Sequence, residues 1–173
     1  MDIEHLKNSI RNIPDYPKPG IQFKDITPIL QDPLLFIEVI DIFFERYRRE
    51  KIDVVVGIES RGFIFAAPLA LKLSCGLAIA RKPGKLPYET VSAEYSLEYG
   101  VDALELHIDA IKPYEKVLII DDLLATGGTT KATIDLVKKL QGSVVECGFL
   151  IQLSGLNGGK KLKNEKIFSI LKY

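Results

Sequence analysis

From Leu34 to Glu50 the apolar residues Leu34, Leu35, Ile37, Ile40, Phe44 and Tyr47 recur at helical spacing, the period of an amphipathic helix. Asp32 stands where an N-cap belongs, and Pro33 suits a first helical turn. Val54–Ile58 is five residues, nearly all β-branched, and reads as a strand buried on both faces. Gly57 to Gly62 then leads into a second helix over Phe63–Ser74, and a second apolar run follows at Gly76–Ala80. Thr90–Tyr95 and Ala103–Ile108 partly alternate, which predicts a hairpin or flap across residues 81–107, shaped at its start by Pro83, Gly84 and Pro87. Val117–Ile120 is a further apolar strand ending in Asp121-Asp122, and it feeds a glycine-rich turn and a helix over about 128–140. Val144–Leu153 and Phe168–Leu171 complete the set. Strands alternating with helices at this spacing predict an α/β fold, a central mostly parallel sheet flanked by helices.

The first thirty residues break this rhythm. Pro14, Pro17, Pro19, Gly20 and Pro28 crowd them. Proline fixes φ and donates no hydrogen bond, so a short helix near residues 2–12 should give way to mostly extended loop. The expected organisation is a small N-terminal cover, residues 1–33, on a core of residues 34–173. The length of 173 residues suits one domain with such an appendage. With 23 Lys plus Arg against 23 Asp plus Glu, the formal charge is zero, which argues against a nucleic-acid coat or a charge-held membrane protein. No apolar run approaches the roughly 20 residues of a membrane helix, and acids stand where a signal peptide would carry bases. Two cysteines, Cys75 and Cys147, are too few for a disulfide framework, lie in apolar contexts and read as core fillers. The expectation is a cytoplasmic protein. His5 and His107 read as ordinary surface residues, and the lysines of 138–139 and 160–166 as solvated faces.

The chemistry concentrates in Val117-Leu118-Ile119-Ile120-Asp121-Asp122-Leu123-Leu124-Ala125-Thr126-Gly127-Gly128-Thr129-Thr130. Ligands of open α/β sheets sit beyond the carboxyl ends of the strands. A helix start behind Gly127-Gly128, with Thr126, Thr129 and Thr130 beside it, offers N–H groups and hydroxyls to a phosphate. Two adjacent carboxylates suit a diol. A phosphate site and a diol site a few residues apart describe a ribose 5-phosphate. The string is neither a Walker A loop nor a dinucleotide fingerprint. Alone, such a strand and turn could also be structural, its glycines closing a turn and its aspartates capping. At the end of the earlier strand, Arg61 offers a planar fork to phosphate oxygens, with Ser60 beside it.

Asp121 to Thr129 resembles the phosphoribosyl-pyrophosphate (PRPP) motif of the type I phosphoribosyltransferases, in the form found in the adenine-specific branch. Three further segments resemble that family in order: Asp15 to Pro28 its base-covering segment, Gly57 to Phe63 its pyrophosphate loop, and Arg81 to Pro87 with Tyr95 to Gly100 its flexible loop. The resemblance spans nearly the whole chain. It implies the type I phosphoribosyltransferase fold and conversion of adenine and PRPP to AMP and pyrophosphate. It assigns the PRPP 5-phosphate to Ala125, Thr126, Gly127, Gly128 and Thr129, the ribose to Asp121 and Asp122, and the pyrophosphate to Ser60, Arg61 and Lys85. Arg81 and Lys82 are assigned near the neighbouring site of a homodimer. Glu98 is implied as the base that takes the N7 proton of the purine, with Arg61 and Lys85 as its catalytic partners on the leaving group. Tyr99 would contact a phosphate or pack the flap. Gln22, Phe23, Lys24 and Leu153 would bind the base, with Phe23 either stacking on it or stapling the proline-rich segment to the core. Lys24 departs from the arginine frequent in the family. The implied cofactor is Mg2+, held mainly by substrate, and the resemblance also raises a cis Glu59–Ser60 peptide. Two rivals stay open: a phosphoribosyltransferase for a 6-oxopurine, against which stands the lack of Lys or Arg in Val144–Leu153, and a non-catalytic PRPP-sensing regulator.

Overall fold

The computed structural model describes residues 3–96, 100–162 and 164–173. The chain forms two compact units, Met1–Ile42 and Phe43–Tyr173.

The first unit holds α1 (Glu4–Ser9), the antiparallel pair β1 (Arg11–Pro14) and β2 (Gln22–Asp25), α2 (Thr27–Gln31) and the start of α3 (Pro33–Tyr47). The proline-rich stretch is therefore more ordered than the expected loop. Pro14 ends a strand of a two-stranded sheet, where its missing N–H breaks no ladder. The turn between the strands uses a cis Tyr16–Pro17 bond and Gly20 at φ 85°. Asp25 then accepts bonds from the Thr27 N–H and hydroxyl, both at 2.9 Å, and so starts α2. Asp32 caps α3 as its position predicts, accepting the Leu34 N–H at 2.9 Å.

The second unit contains β3 (Val54–Ile58), α4 (Gly62–Leu73), β4 (Gly76–Ala80), the hairpin β5 (Thr90–Ser96) and β6 (Val101–His107), β7 (Lys116–Leu124), α5 (Gly128–Lys139), β8 (Ser143–Gln152), α6 (Gly158–Lys161) and β9 (Ile167–Lys172). Five of these strands form one parallel sheet in the order β4-β3-β7-β8-β9. Register sorts its faces. Val56, Ile119 and Cys147 share a buried cluster with Ala132 and Leu136 of α5 and with Ala93, Leu104 and Leu106 of the hairpin. On the other face, a Cβ at Gly57 would stand 2.8 Å from that of Ala66 in α4. One at Gly148 would stand 3.0 Å from the Tyr47 hydroxyl. Each glycine is thus required by a close helix–sheet approach.

The chain moves outward from β3 to β4 and then returns to place β7 on β3's other side, so the order reverses between β3 and β7. Crevices at such reversals are where open α/β sheets bind ligands. The aspartates do not follow the strand as expected but lie within it. β7 continues to Leu124, paired with β8 through Gln152, whereas its pairing with β3 stops at Ile120. Backbone pairing to β8 carries the extended conformation past the apolar run that marks the strand in sequence. Among the described residues, no helix is long and apolar enough to cross a membrane.

Candidate active site

Where β3 stops and β7 continues, Asp121 and Asp122 project beside the start of α4. They are 8% and 5% exposed. The Asp121 carboxylate accepts the Asp122 N–H at 2.9 Å, and Arg61 Nη2 meets Asp122 Oδ2 at 2.9 Å. Burial pushes Asp121 well above the usual carboxylate range, and the neighbouring Asp122 charge pushes further in the same direction. Asp122 is also raised by burial, with Arg61 opposing. With one guanidinium for two buried carboxylates, the pair resists full ionisation, which hydroxyl donors or a shared cation would relieve. Gly62 makes this junction possible. A Cβ there would lie 2.8 Å from Ile120 O and 2.9 Å from Asp121 Oδ1, so the helix starts directly against the strand.

The turn between β3 and α4 contains the cis Glu59–Ser60 peptide. Ser60 is exposed beside Arg61. The Glu59 side chain keeps only 9% of its exposure. Its carboxylate accepts the Lys82 N–H at 2.8 Å, bonds Arg81 Nε at 3.3 Å and pairs with the Lys85 ammonium. Burial pushes Glu59 upward, but the bonds from Lys85 and the Lys82 N–H more than offset it and hold the group below its ordinary value. Lys82 turns elsewhere: its ammonium bonds the Asp102 carboxylate and the Tyr95 hydroxyl. Burial would lower Lys82, yet these partners raise it, while the bond from Lys82 lowers Asp102.

The turn from β7 into α5 forms the third element. Gly127 takes φ 77° as the N-cap and supplies no side-chain cap, so the first N–H groups of α5 lack the capping bond a Ser or Asp would give. Gly128 sits under Tyr95, whose ring carbon would be 3.1 Å from a Cβ there. From behind, Gly158 at the start of α6 presses on the turn so closely that a Cβ would lie 2.2 Å from Ala125 O. The sequence marks Glu59 only as part of the loop with Ser60 and Arg61 and of the cis peptide found here, and it does not mark Gly158. Gly158 lies just before the lysines of 160–166, and the Glu59 partners Arg81, Lys82 and Lys85 lie more than twenty residues away in sequence.

The second unit thus brings together Ser60, Arg61, Asp121, Asp122 and the 125–129 turn, with Arg81, Lys82 and Lys85 grouped around the β3 end. Leu153 follows β8, half-buried, its N–H donating to Leu124 O at 2.9 Å. Gln22, Phe23 and Lys24 form β2 in the first unit. Gln22 is exposed, Phe23 meets the Tyr16 ring edge-on at 5.2 Å, and Lys24 Nζ bonds Asn12 Oδ1 at 2.5 Å. Glu98 and Tyr99 lie outside the described residues. Some plainer readings change. Cys147 is buried, its thiol pushed up to about 12 by burial, but Cys75 is partly exposed rather than a core filler. Lys138 is not simply solvated, since it pairs with Glu165 at 2.6 Å, and Lys139 donates to Ser92 O at 2.5 Å. Among the described residues, no three His, Cys, Asp or Glu side chains group as a metal cage. The Asp121–Asp122 pair fits a hard cation that takes most of its ligands from a substrate.

Residues 25–172 match the phosphoribosyl transferase domain family. The adenine phosphoribosyltransferase of Trichlorobacter lovleyi is 54% identical over 171 residues, covering 99% of this chain and all of that protein. The chain belongs to the adenine phosphoribosyltransferase family. Solved structures of adenine phosphoribosyltransferases agree. That of Thermoanaerobacter pseudethanolicus superposes with a TM-score of 0.97 at 49% identity, covering 99% of this chain and 100% of the other. That of Saccharomyces cerevisiae, complexed with adenine and an imino-altritol bisphosphate, gives 0.92 at 41% identity, covering 96% and 97%. Adenine phosphoribosyltransferases are transferases, and the five-stranded parallel sheet with its flanking helices is their fold.

Proposed function

We propose that this chain transfers the phosphoribosyl group of PRPP to N9 of adenine, giving AMP and pyrophosphate in purine salvage. The observation that carries the reading is the pairing, on one strand and its turn, of two buried carboxylates with an uncapped helix start. The 5-phosphate would rest on the N–H groups and hydroxyls of Ala125 to Thr129, and the ribose hydroxyls on Asp121 and Asp122. The pyrophosphate would lie against Ser60, Arg61 and Lys85. As N9 forms its bond to C1, the C1–oxygen bond breaks with its electron pair leaving on pyrophosphate. The ribose carries positive charge in that transition state, beside the assigned Asp121 and Asp122. Glu98 takes the proton adenine must lose. Gln22, Phe23, Lys24 and Leu153 are assigned to the base, and Tyr99 to a phosphate or the flap. Most of the rate comes from positioning and charge. Magnesium, held mainly by substrate oxygens beside the aspartate pair, would neutralise part of the pyrophosphate charge.

The reading includes a homodimer. β4 is an edge strand, and its Leu77 (46% exposed) and Ile79 (37%), together with Ile64 (37%) and Leu71 (83%) of α4, leave apolar surface uncovered. An apolar edge of this kind favours a second copy over water. Arg81 follows β4 directly, which supports placing Arg81 and Lys82 near the partner's site. Two free thiols are consistent with a cytoplasmic setting.

The test is an assay of purified protein with PRPP, magnesium and each of adenine, hypoxanthine, guanine and xanthine. AMP formation that disappears in Asp121→Ala and Glu98→Ala supports the reading. Preference for an oxopurine would move the assignment to that branch, and tight PRPP binding without turnover would make the protein a regulator.

A further inference from the structure

We infer that Glu59 is a positioning residue that holds the cations of the pyrophosphate site until substrate arrives, and that Lys85 exchanges its carboxylate for pyrophosphate oxygens. The inference rests on the assignment of Lys85 to pyrophosphate. Glu59 sits one residue past β3, on the side of β4, its N–H donating to Ala80 O at 2.9 Å. Its almost covered carboxylate is shared by Lys85, Arg81 and the Lys82 N–H. These partners are not equally fixed. Arg81 is tied by its backbone to Glu105 through two bonds of 3.0 and 2.8 Å. Lys82 is engaged by Asp102 and Tyr95. Lys85 keeps 47% side-chain exposure and follows Gly84, which takes φ 76°. Lys85 is therefore the cation free to leave.

With the Lys82 ammonium held by Asp102, Arg81 and Lys85 are the two cations that would repel one another if no anion stood between them. Glu59 supplies that anion in the substrate-free protein. A pyrophosphate carries more negative charge than one carboxylate, so it wins the exposed ammonium while Arg81 stays with Glu59. On the return path Glu59 competes with the product for Lys85 and so speeds its release.

The experiment measures binding of inorganic pyrophosphate, with magnesium, by calorimetry and by product inhibition. Its subjects are wild type, Lys85→Gln, Glu59→Gln and the double variant. Glu59→Gln keeps an acceptor for the Lys82 N–H but removes the charge. It should tighten pyrophosphate binding about three- to fivefold, the scale of a partly exposed ion pair. It should also lower kcat and the KM for PRPP together. A merely structural loss would raise KM instead. In the Lys85→Gln background the Glu59 change should have no such effect. Should Glu59→Gln not fold, Glu59→Asp withdraws the carboxylate by one methylene and should shift pyrophosphate affinity in the same direction. Unchanged or weaker binding in the Glu59 variants, with Lys85→Gln still weakening it, overturns the inference and leaves the site assignment standing. Equal pyrophosphate binding by wild type and Lys85→Gln overturns the assignment itself.

Discussion

A carboxylate buried beside another carboxylate resists ionisation, and Asp121 is in that position. Its proton is held more tightly in the folded protein than in the unfolded chain. Stability from this group is fully present below the unfolded aspartate value of about 4 and is lost as pH rises through the folded value. At neutral pH Asp121 therefore opposes folding, which is the signature of a group retained for its chemistry. Asp121→Asn keeps an acceptor for the Asp122 N–H and removes the charge. The ligand-free variant should be more stable by about 1–2 kcal/mol at neutral pH, and activity should fall roughly a hundredfold. Thermal unfolding at pH 4 and pH 7.5 checks the sign: the gain must be larger at the higher pH. Glu59 behaves oppositely, since its folded value is lowered. Its contribution is present above the unfolded glutamate value and disappears as pH falls through the folded one.

Elements meet here through single residues, and two of those meetings can be tested separately. Arg46 in the last turn of α3 holds Glu146 of β8 with bonds of 2.6 and 2.7 Å. Glu146 is 5% exposed. Arg46→Ala leaves that carboxylate buried and unpaired and should cost about 2 kcal/mol, less than a fully buried pair because Arg46 keeps 41% side-chain exposure. Denaturant unfolding should show the loss while the KM for PRPP stays unchanged. Gly158→Ala should do the reverse in emphasis. Its Cβ would push on Ala125 O, so KM for PRPP should rise at least about tenfold, with a stability cost of about 1–3 kcal/mol from overpacking. The strands and helices of the second unit were legible because apolar runs and helical periods coincide with them. The Asp121–Thr129 string was legible because strand end, carboxylates and glycines are contiguous. The ion pairs of Glu59 and the close approach of Gly158 were not, because each acts on a partner more than twenty residues away and nothing local marks the contact. The hairpin of β1 and β2 was hidden by its prolines, whose effect depends on which strand edge they occupy.

At the scale of the whole molecule, the proposed homodimer would cover the exposed apolar residues Leu77, Ile79, Ile64 and Leu71. A charge placed there, as in Leu77→Glu, should convert a dimer to single chains in light scattering and remove most activity. Folding should survive it, because Leu77 is already 46% exposed within one chain. Retained activity in a demonstrated monomer would show that each chain carries a complete site and that Arg81 and Lys82 serve their own.

The contact between Gly158 and Ala125 also orders events in time. The 125–129 turn leaves the ribosome about thirty residues before the glycine that backs it, which is roughly 2–6 s at ordinary rates of synthesis. During that interval β7 and its aspartates exist without a finished cradle. On the proposed assignment of the 5-phosphate to this turn, a nascent chain would become able to hold PRPP late, when the segment after β8 folds back behind the turn.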